Sequence, residues 1–224
     1  AGVPVADGGE GTIDAVISAL NGTYRRLTVH GPLMEEAQSF YGEFEGGSAI
    51  IEMAAASGLP MVPADRRNPL NTTTYGTGEL IKDALDRGYR KISIAIGGSA
   101  TNDGGLGVRF LDDQGNELEG RGRDLTRVAD IDVSRIHPAV SQSRFTVMCD
   151  VTNPLTGPDG ATYTFGKQKG GTPEILDVLE GGMIRYAALL KEKLGVDVDK
   201  IPGAGAAGGL GAAFCVFLKA NLKS

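Results

Sequence analysis

The sequence predicts an α/β domain, a mixed sheet with flanking helices, and three observations carry that expectation. Strand-like runs and helix-period stripes follow one another along the chain. Glycines gather in the loops between them. A length of 224 residues allows one large domain or two small ones with a well-buried core. The hydrophobic share of 41% and charged share of 22% are ordinary globular values, so the 34 glycines mark loops of a folded protein rather than low complexity. No internal repeat and no linker-like segment is present.

The elements follow in order. Residues 12 to 20 place Ile13, Val16, Ile17 and Leu20 on one helical face, with Gly22 beyond the end. Tyr24 to Met53 alternates in short pieces that read as two or three strands of an antiparallel meander. Leu80, Ile81, Ala84 and Leu85 form a helical stripe, with Thr77 as N-cap and Gly88 as terminator. Lys91 to Ile96 reads as a buried strand running into the loop Gly97 to Gly105. A strand in GVRFLD leads to a turn at Gln114-Gly115, and Phe145 to Val151 forms another strand. Thr172-Pro173-Glu174 opens a helix reaching about Leu194, which Gly181-Gly182 can interrupt. A last helix is expected from about Ala207 to Leu222, its small residues permitting close packing.

Composition excludes several classes. A formal net charge of −6 leaves no basic face to release counterions from phosphates, so neither nucleic acid nor an anionic membrane is an expected partner. No apolar stretch reaches the ~20 residues that span a bilayer, and the first residues have neither the basic nor the apolar region of a signal peptide. Cys149 and Cys215 sit in apolar runs and read as buried thiols, which suits the reducing cytoplasm. His30 and His137 lack any partner pattern, so a structural zinc site is not expected.

Four segments combine glycines with a carboxylate, an amide or a helix start: residues 5–12, 96–105, 149–161 and 201–211. Glycine permits positive φ and close backbone approach, so successive N–H groups can converge on an oxyanion, and a following helix adds favourable partial charge. Ser99, Thr101 and Asn102 supply further hydrogen bonds; Asp7, Glu10, Asp103 and Asp150 have the chemistry to hold Mg²⁺ or to take a proton from a hydroxyl. Each has a plainer alternative. Asp7 and Glu10 can cap the first helix, Ser99 and Thr101 can form a turn, Lys167 and Lys169 can be solvated, and the GAGAAGG run can serve helix packing. Asp150 ends a strand, where α/β sheets usually bind ligands. No Walker A loop occurs.

The segments VPVADGGEGT, IEMAAASGL, NPLNTTTYGTGEL, IGGSATNDGG, CDVTNPLTGP, FGKQKGGTPE and PGAGAAGGLGAA, in this order, resemble the type I glycerate kinases over nearly the whole chain. The resemblance implies ATP-dependent phosphorylation of D-glycerate with Mg²⁺, usually to 2-phosphoglycerate, in a cleft between two α/β domains. On this view Asp7 or Asp150 accepts the hydroxyl proton, and Asp103 is a metal ligand. Gly8, Gly9, Glu10, Gly98, Ser99, Thr101, Asn102, Asn153 and Gly205 bind substrate carboxylate or phosphates, and Lys167 or Lys169 offsets phosphoryl charge. A homodimer is compatible with it. The family's initial strand with a PDSFKGS-like loop and its later TGEGxxDxQT-like motif have no counterpart here. About one helix is also missing between Gly105 and Leu106. The expectation is therefore that residues 1–224 are a single domain, the family's inserted domain, without the terminal Rossmann-like domain. The alternatives are an isolated non-catalytic domain or a trimmed scaffold, holding a small anion weakly or not at all; a metal-dependent phosphohydrolase is the remotest.

Overall fold

The computed structural model describes residues 11–105 and 109–223. Helix α1 (Thr12–Leu20) is followed by strands β1 (Thr23–His30), β2 (Glu36–Phe44) and β3 (Ser48–Glu52), paired antiparallel as the alternation predicts. A short α2 (Ala54–Ser57) and two 3-10 turns lead to α3 (Tyr75–Asp86), which returns the chain to β4 (Lys91–Ala95), parallel to β3. Strands β5 (Arg109–Leu111) and β6 (Asp130–Asp132) form a separate two-stranded sheet. The chain then enters β7 (Arg144–Met148), α4 (Ala161–Phe165), α5 (Pro173–Leu194), α6 (Ala206–Phe217) and β8 (Asn221–Lys223). The main sheet has the order β1-β2-β3-β4-β7-β8, with the last four strands parallel.

Alternation along the strands sorts the core into layers. Ala49 and Ile51, Ile92 and Ile94, and Phe145 and Val147 face α3 and α6, meeting Leu80, Ala84, Leu210 and Phe214. Ile50 points the other way and packs under Ile13 and Ile17 of α1. Helix α6 is covered in turn by α5, where Met183, Tyr186 and Leu190 join Phe110, Leu125 and Ala212. Each fully buried aliphatic or aromatic side chain of this kind contributes roughly 1.5–3 kcal/mol.

Several boundaries differ from expectation. Helix α3 starts earlier, because Thr74, not Thr77, stands at the cap position; Thr77 is buried inside the helix, its hydroxyl 2.9 Å from that of Ser57. Helix α5 runs unbroken through Gly181-Gly182. A Cβ at Gly182 would stand 2.7 Å from Leu125 Cβ, so that glycine permits close packing rather than a break. The last helix ends at Phe217, and Lys219, at φ 50, turns the chain into β8, whose Leu222 packs on the sheet core. Leu218 and Leu222 keep helical spacing, which is why periodicity alone extends the helix too far. Residues Ala207, Gly208 and Gly209 have φ of 52, 69 and 95, so regular α6 begins at Leu210.

The parallel register aligns Glu52, Ala95, Met148 and Lys223 across four strands. The segments that follow β3, β4 and β7 therefore leave the sheet along one edge, at its carboxyl end, where open α/β sheets place ligands.

Candidate functional site

At that edge lies a cavity of about 250 Å³, lined by Gly97, Gly98 and Ser99 after β4, Cys149 and Asp150 after β7, and Lys169 and Ala207 from the two segments packed above. Three of the four glycine-rich segments singled out above thus have members here. Gly98 sits at φ +75 and carries the β4 loop into its turn, and its carbonyl accepts from Leu59 N–H at 2.8 Å. Among the described residues, the N–H groups of Gly97 and Gly98 meet no acceptor. Ser99 is nearly buried; its hydroxyl lies 2.9 Å from that of Thr101 and accepts from Thr101 N–H at 3.0 Å. Ser99 therefore forms a turn, as the plainer alternative has it, and also lines the cavity.

Lys169 dominates the electrostatics. It is only 2% exposed, on a 3-10 turn (Lys167–Lys169) held by Gly166 and Gly170. Its ammonium donates to the Thr101 carbonyl. Burial brings its pKa down to about 8, and the negative charge of Asp103 resists the change. An ammonium carries three donors, so this cation keeps hydrogen-bonding capacity beside the cavity. Lys167, two residues earlier, is exposed and lines no wall of it. Asp150 follows the last paired residue of β7 and is exposed at the rim. Burial, the larger influence, and the nearby Asp150 charge raise the Cys149 thiol, which stays protonated near neutrality.

The other expected residues are placed differently. Asp103 is completely buried; its Oδ2 accepts from the Thr74 N–H at 2.7 Å and hydroxyl at 2.8 Å, and its Oδ1 from Gly105 N–H at 3.2 Å. Burial pushes its pKa up against those hydrogen bonds, and the carboxylate reaches no wall of the cavity, a structural setting rather than a metal ligand's. Asn102 is also buried and donates to the Thr162 hydroxyl at 3.2 Å. Thr101 contributes its carbonyl to Lys169. Asn153 ties its own loop to the Asp159 carbonyl at 2.8 Å. Gly205 donates to the Asn153 carbonyl at 3.0 Å, and a Cβ there would meet Pro154 O at 2.1 Å. The packing alternative for this glycine run holds at Gly205, and again at Gly208, where a Cβ would meet Thr101 O at 2.1 Å. Asp7, Gly8, Gly9 and Glu10 lie outside the described residues.

Glu52 is a residue that the sequence reading passes over. Nearly buried at the end of β3, it accepts from the N–H groups of Gly11 at 3.1 Å and Ile13 at 3.3 Å, serving the start of α1. An acid inside the apolar run IIEM is the signal that could have found it, since a carboxylate there requires buried donors. Among the described residues no group of three or more His, Cys, Asp or Glu side chains gathers as a metal site, and no helix is long and apolar enough to cross a membrane.

Fold and cavity together define an α/β protein that presents a buried cation and a carboxylate at the carboxyl ends of parallel strands. The chain belongs to the glycerate kinase family: the profile described as "Glycerate kinase family" matches residues 1–224. It is 50% identical over 229 residues to "Glycerate 2-kinase" of Escherichia coli (strain K12), covering 99% of this chain and 60% of that protein. "Glycerate kinase" of Bacillus subtilis (strain 168) is 50% identical over 228 residues, with coverage of 99% and 60%. A crystal structure of a protein assigned as glycerate kinase 2 from Salmonella typhimurium LT2 superposes with a TM-score of 0.95 at 49% identity, covering 99% of this chain and 61% of that one. The chain thus spans about three fifths of the length of the relatives it matches.

Proposed function

We propose that this chain supplies the cavity in which a glycerate kinase transfers the γ-phosphoryl group of ATP to the 2-hydroxyl of D-glycerate, giving 2-phosphoglycerate and ADP. One observation supports this reading above the others: Lys169, an ammonium held out of water, shares a cavity with the Asp150 carboxylate and the Gly97-Gly98 backbone. Phosphoryl transfer asks a protein chiefly to position its reactants and to offset negative charge. Lys169 provides the charge and the glycine N–H groups provide donors for an oxyanion. Asp150 accepts the proton that leaves the glycerate hydroxyl as its oxygen bonds to phosphorus, while the bond from phosphorus to the ADP oxygen breaks. Exposure of Asp150 at the rim leaves its carboxylate within reach of a substrate entering the cavity.

Mg²⁺ bound with the nucleotide would neutralise charge on the transferring phosphates. Such an ion takes one or two carboxylates together with phosphate oxygens and water; Asp150, the one carboxylate among the described residues of the cavity, is kept here for the hydroxyl proton. Asp103 does not fit, because all its hydrogen-bonding is turned to Thr74 and Gly105 inside the core. Residues 1–224 act as a single domain, the counterpart of the family's inserted domain; α6 belongs to both large core clusters and so joins the layers into one unit.

A second reading is favoured by coverage of only 60% of the E. coli relative: the chain alone binds its ligand without turnover. Both are tested by ADP release with ATP and D-glycerate, using the chain alone and the chain exchanged for the matching segment of that relative. Turnover in the exchanged protein, lost in Asp150→Asn, supports the kinase reading. A folded, inactive exchange protein contradicts it.

A further inference from the structure

Between α3 and α6 lies a second cavity, of about 180 Å³, which shares no lining residue with the cavity of Asp150 and Lys169. Ile81 and Leu85 of α3, Leu210 and Phe214 of α6, and Val140 of the turn before β7 give it apolar walls. Gly78 opens its α3 side: it lines the cavity, and a Cβ built there meets nothing within 4 Å. A cavity of about 150 Å³ with Leu, Ile and Phe walls takes a benzene ring, so this one has room for about six carbon atoms.

Its ionisable groups are of one kind. Lys82, Arg135 and His137 line it, and among the described residues no Asp or Glu does. Two of the three already have a partner in Asp86, which stands outside the lining: Lys82 Nζ lies 2.6 Å and His137 Nε2 2.9 Å from its carboxylate. Arg135 is exposed and pairs with no described acid. The cavity adjoins a wider hollow of about 480 Å³, the two sharing His137, Val140 and Leu218 in their walls. That hollow adds Arg144, the first residue of β7, and Lys219, which are likewise exposed and unpaired among the described residues, and its described lining also lacks an acid. Asp and Glu outnumber Lys and Arg by 28 to 22 in this chain, so two adjoining linings with basic groups and no carboxylate select for an anion.

We propose that these adjoining cavities bind a small amphiphilic anion, a carboxylate with an apolar tail of about six carbons. The tail lies between α3 and α6, where burial of its methylenes supplies affinity. The carboxylate meets Arg135, Arg144 and Lys219 at the mouth, guanidinium groups being suited to paired hydrogen bonds with it. An apolar pocket with a few convergent polar groups is the usual form of a small-molecule site.

Calorimetric titration of the 224-residue chain with hexanoate, hexan-1-ol and acetate tests this. Hexanoate is expected to bind at one site with a Kd of about 1 mM or tighter. Hexan-1-ol, without the charge, binds at least about fivefold more weakly, since three exposed ion pairs add only modest increments; acetate, without the tail, shows no binding. Arg135→Gln, Arg144→Gln and Lys219→Asn combined bring hexanoate to the affinity of hexan-1-ol and leave hexan-1-ol unchanged. Asparagine suits the positive φ of 50 at position 219. Gly78→Leu fills the cavity, does not lower the unfolding midpoint, and abolishes binding of both ligands. Lys169→Met, which removes the cation of the other cavity, leaves hexanoate affinity within about twofold of wild type. The proposal is overturned by the absence of saturable hexanoate binding, by equal affinities for hexanoate and hexan-1-ol, by a folded Gly78→Leu that still binds, or by a loss in Lys169→Met. If Gly78→Leu does not fold, the combined charge variant decides the matter alone.

Discussion

Replacing Lys169 with methionine removes a charge from the interior while keeping much of the side-chain volume. In the folded protein the Lys169 pKa lies at about 8, against an ordinary 10.5, chiefly because burial disfavours the charged form. Below pH 8 both folded and unfolded chains carry the proton, and the fold bears the full cost of the buried charge. Between pH 8 and 10.5 the unfolded chain binds more protons than the folded one, so stability rises with pH through that window. At ~1.4 kcal/mol per pH unit the gain amounts to about 3 kcal/mol. Lys169→Met has no such group and shows no such gain. At pH 7 it escapes that cost but leaves the buried Thr101 carbonyl with only the long contact from the Ser99 hydroxyl at 3.4 Å, which costs about 1–3 kcal/mol. The variant is therefore expected to be as stable as wild type at pH 7, or up to about 2 kcal/mol more stable. In the exchanged enzyme it loses about 10²–10³ in turnover, as when a preorganised electrostatic group is removed. Urea unfolding at pH 7, 8, 9 and 10 measures the first effect. Parallel pH profiles for the two proteins would refute the argument that burial of an ammonium sets this cost.

Further outcomes follow from the same geometry. Asp150→Asn, at an exposed position, keeps the wild-type unfolding midpoint and lowers turnover of the exchanged enzyme by about 10²–10⁴, the range of general-base catalysis. Glu52→Gln weakens the hydrogen bonds to Gly11 and Ile13 and costs about 1 kcal/mol, read by urea unfolding and by faster amide exchange in α1. Gly208→Ala forces a Cβ to within 2.1 Å of Thr101 O at φ +69 and destabilises by more than about 2 kcal/mol. Gly78→Ala, in the open space of α3, is expected to stabilise by about 0.5–1 kcal/mol in the same assay.

Much of the fold can be read from the sequence where one period dominates. The meander from Thr23 to Glu52 alternates along β1 and the first part of β2 and turns continuously buried in β3, and the Ile-rich run at Lys91–Ala95 is largely buried as its composition implies. Thr172-Pro173-Glu174 starts α5 where capping chemistry places it, the Thr172 hydroxyl accepting from Ile175 N–H. Failures came where tertiary contact overrides local preference. Thr77 has the chemistry of a cap, yet it is buried inside α3, where its hydroxyl meets that of Ser57. Strand β8 is set by pairing with β7, a contact that no local window contains.

The candidate site was legible in its glycine-rich loops and in the strand-end Asp150, but not in the difference between its two lysines. Lys167 and Lys169 look equivalent in the run GKQK, and only folding places one in solvent and the other at 2% exposure beneath Thr101. Asp103 misleads for the opposite reason: glycines on both sides of a carboxylate suggest a ligand loop, whereas Thr74 and Gly105 consume its hydrogen-bonding inside the core.

The cavity assignment rests on that contrast between the lysines, and calorimetric titration of the chain with D-glycerate, and then with MgATP, tests it directly. For the ligand that fills the cavity, Lys169→Met is expected to weaken binding at least tenfold, equivalent to about 1.4 kcal/mol, while Lys167→Met stays within about twofold of wild type. Equal affinities in all three proteins, or a loss confined to Lys167→Met, would contradict the account.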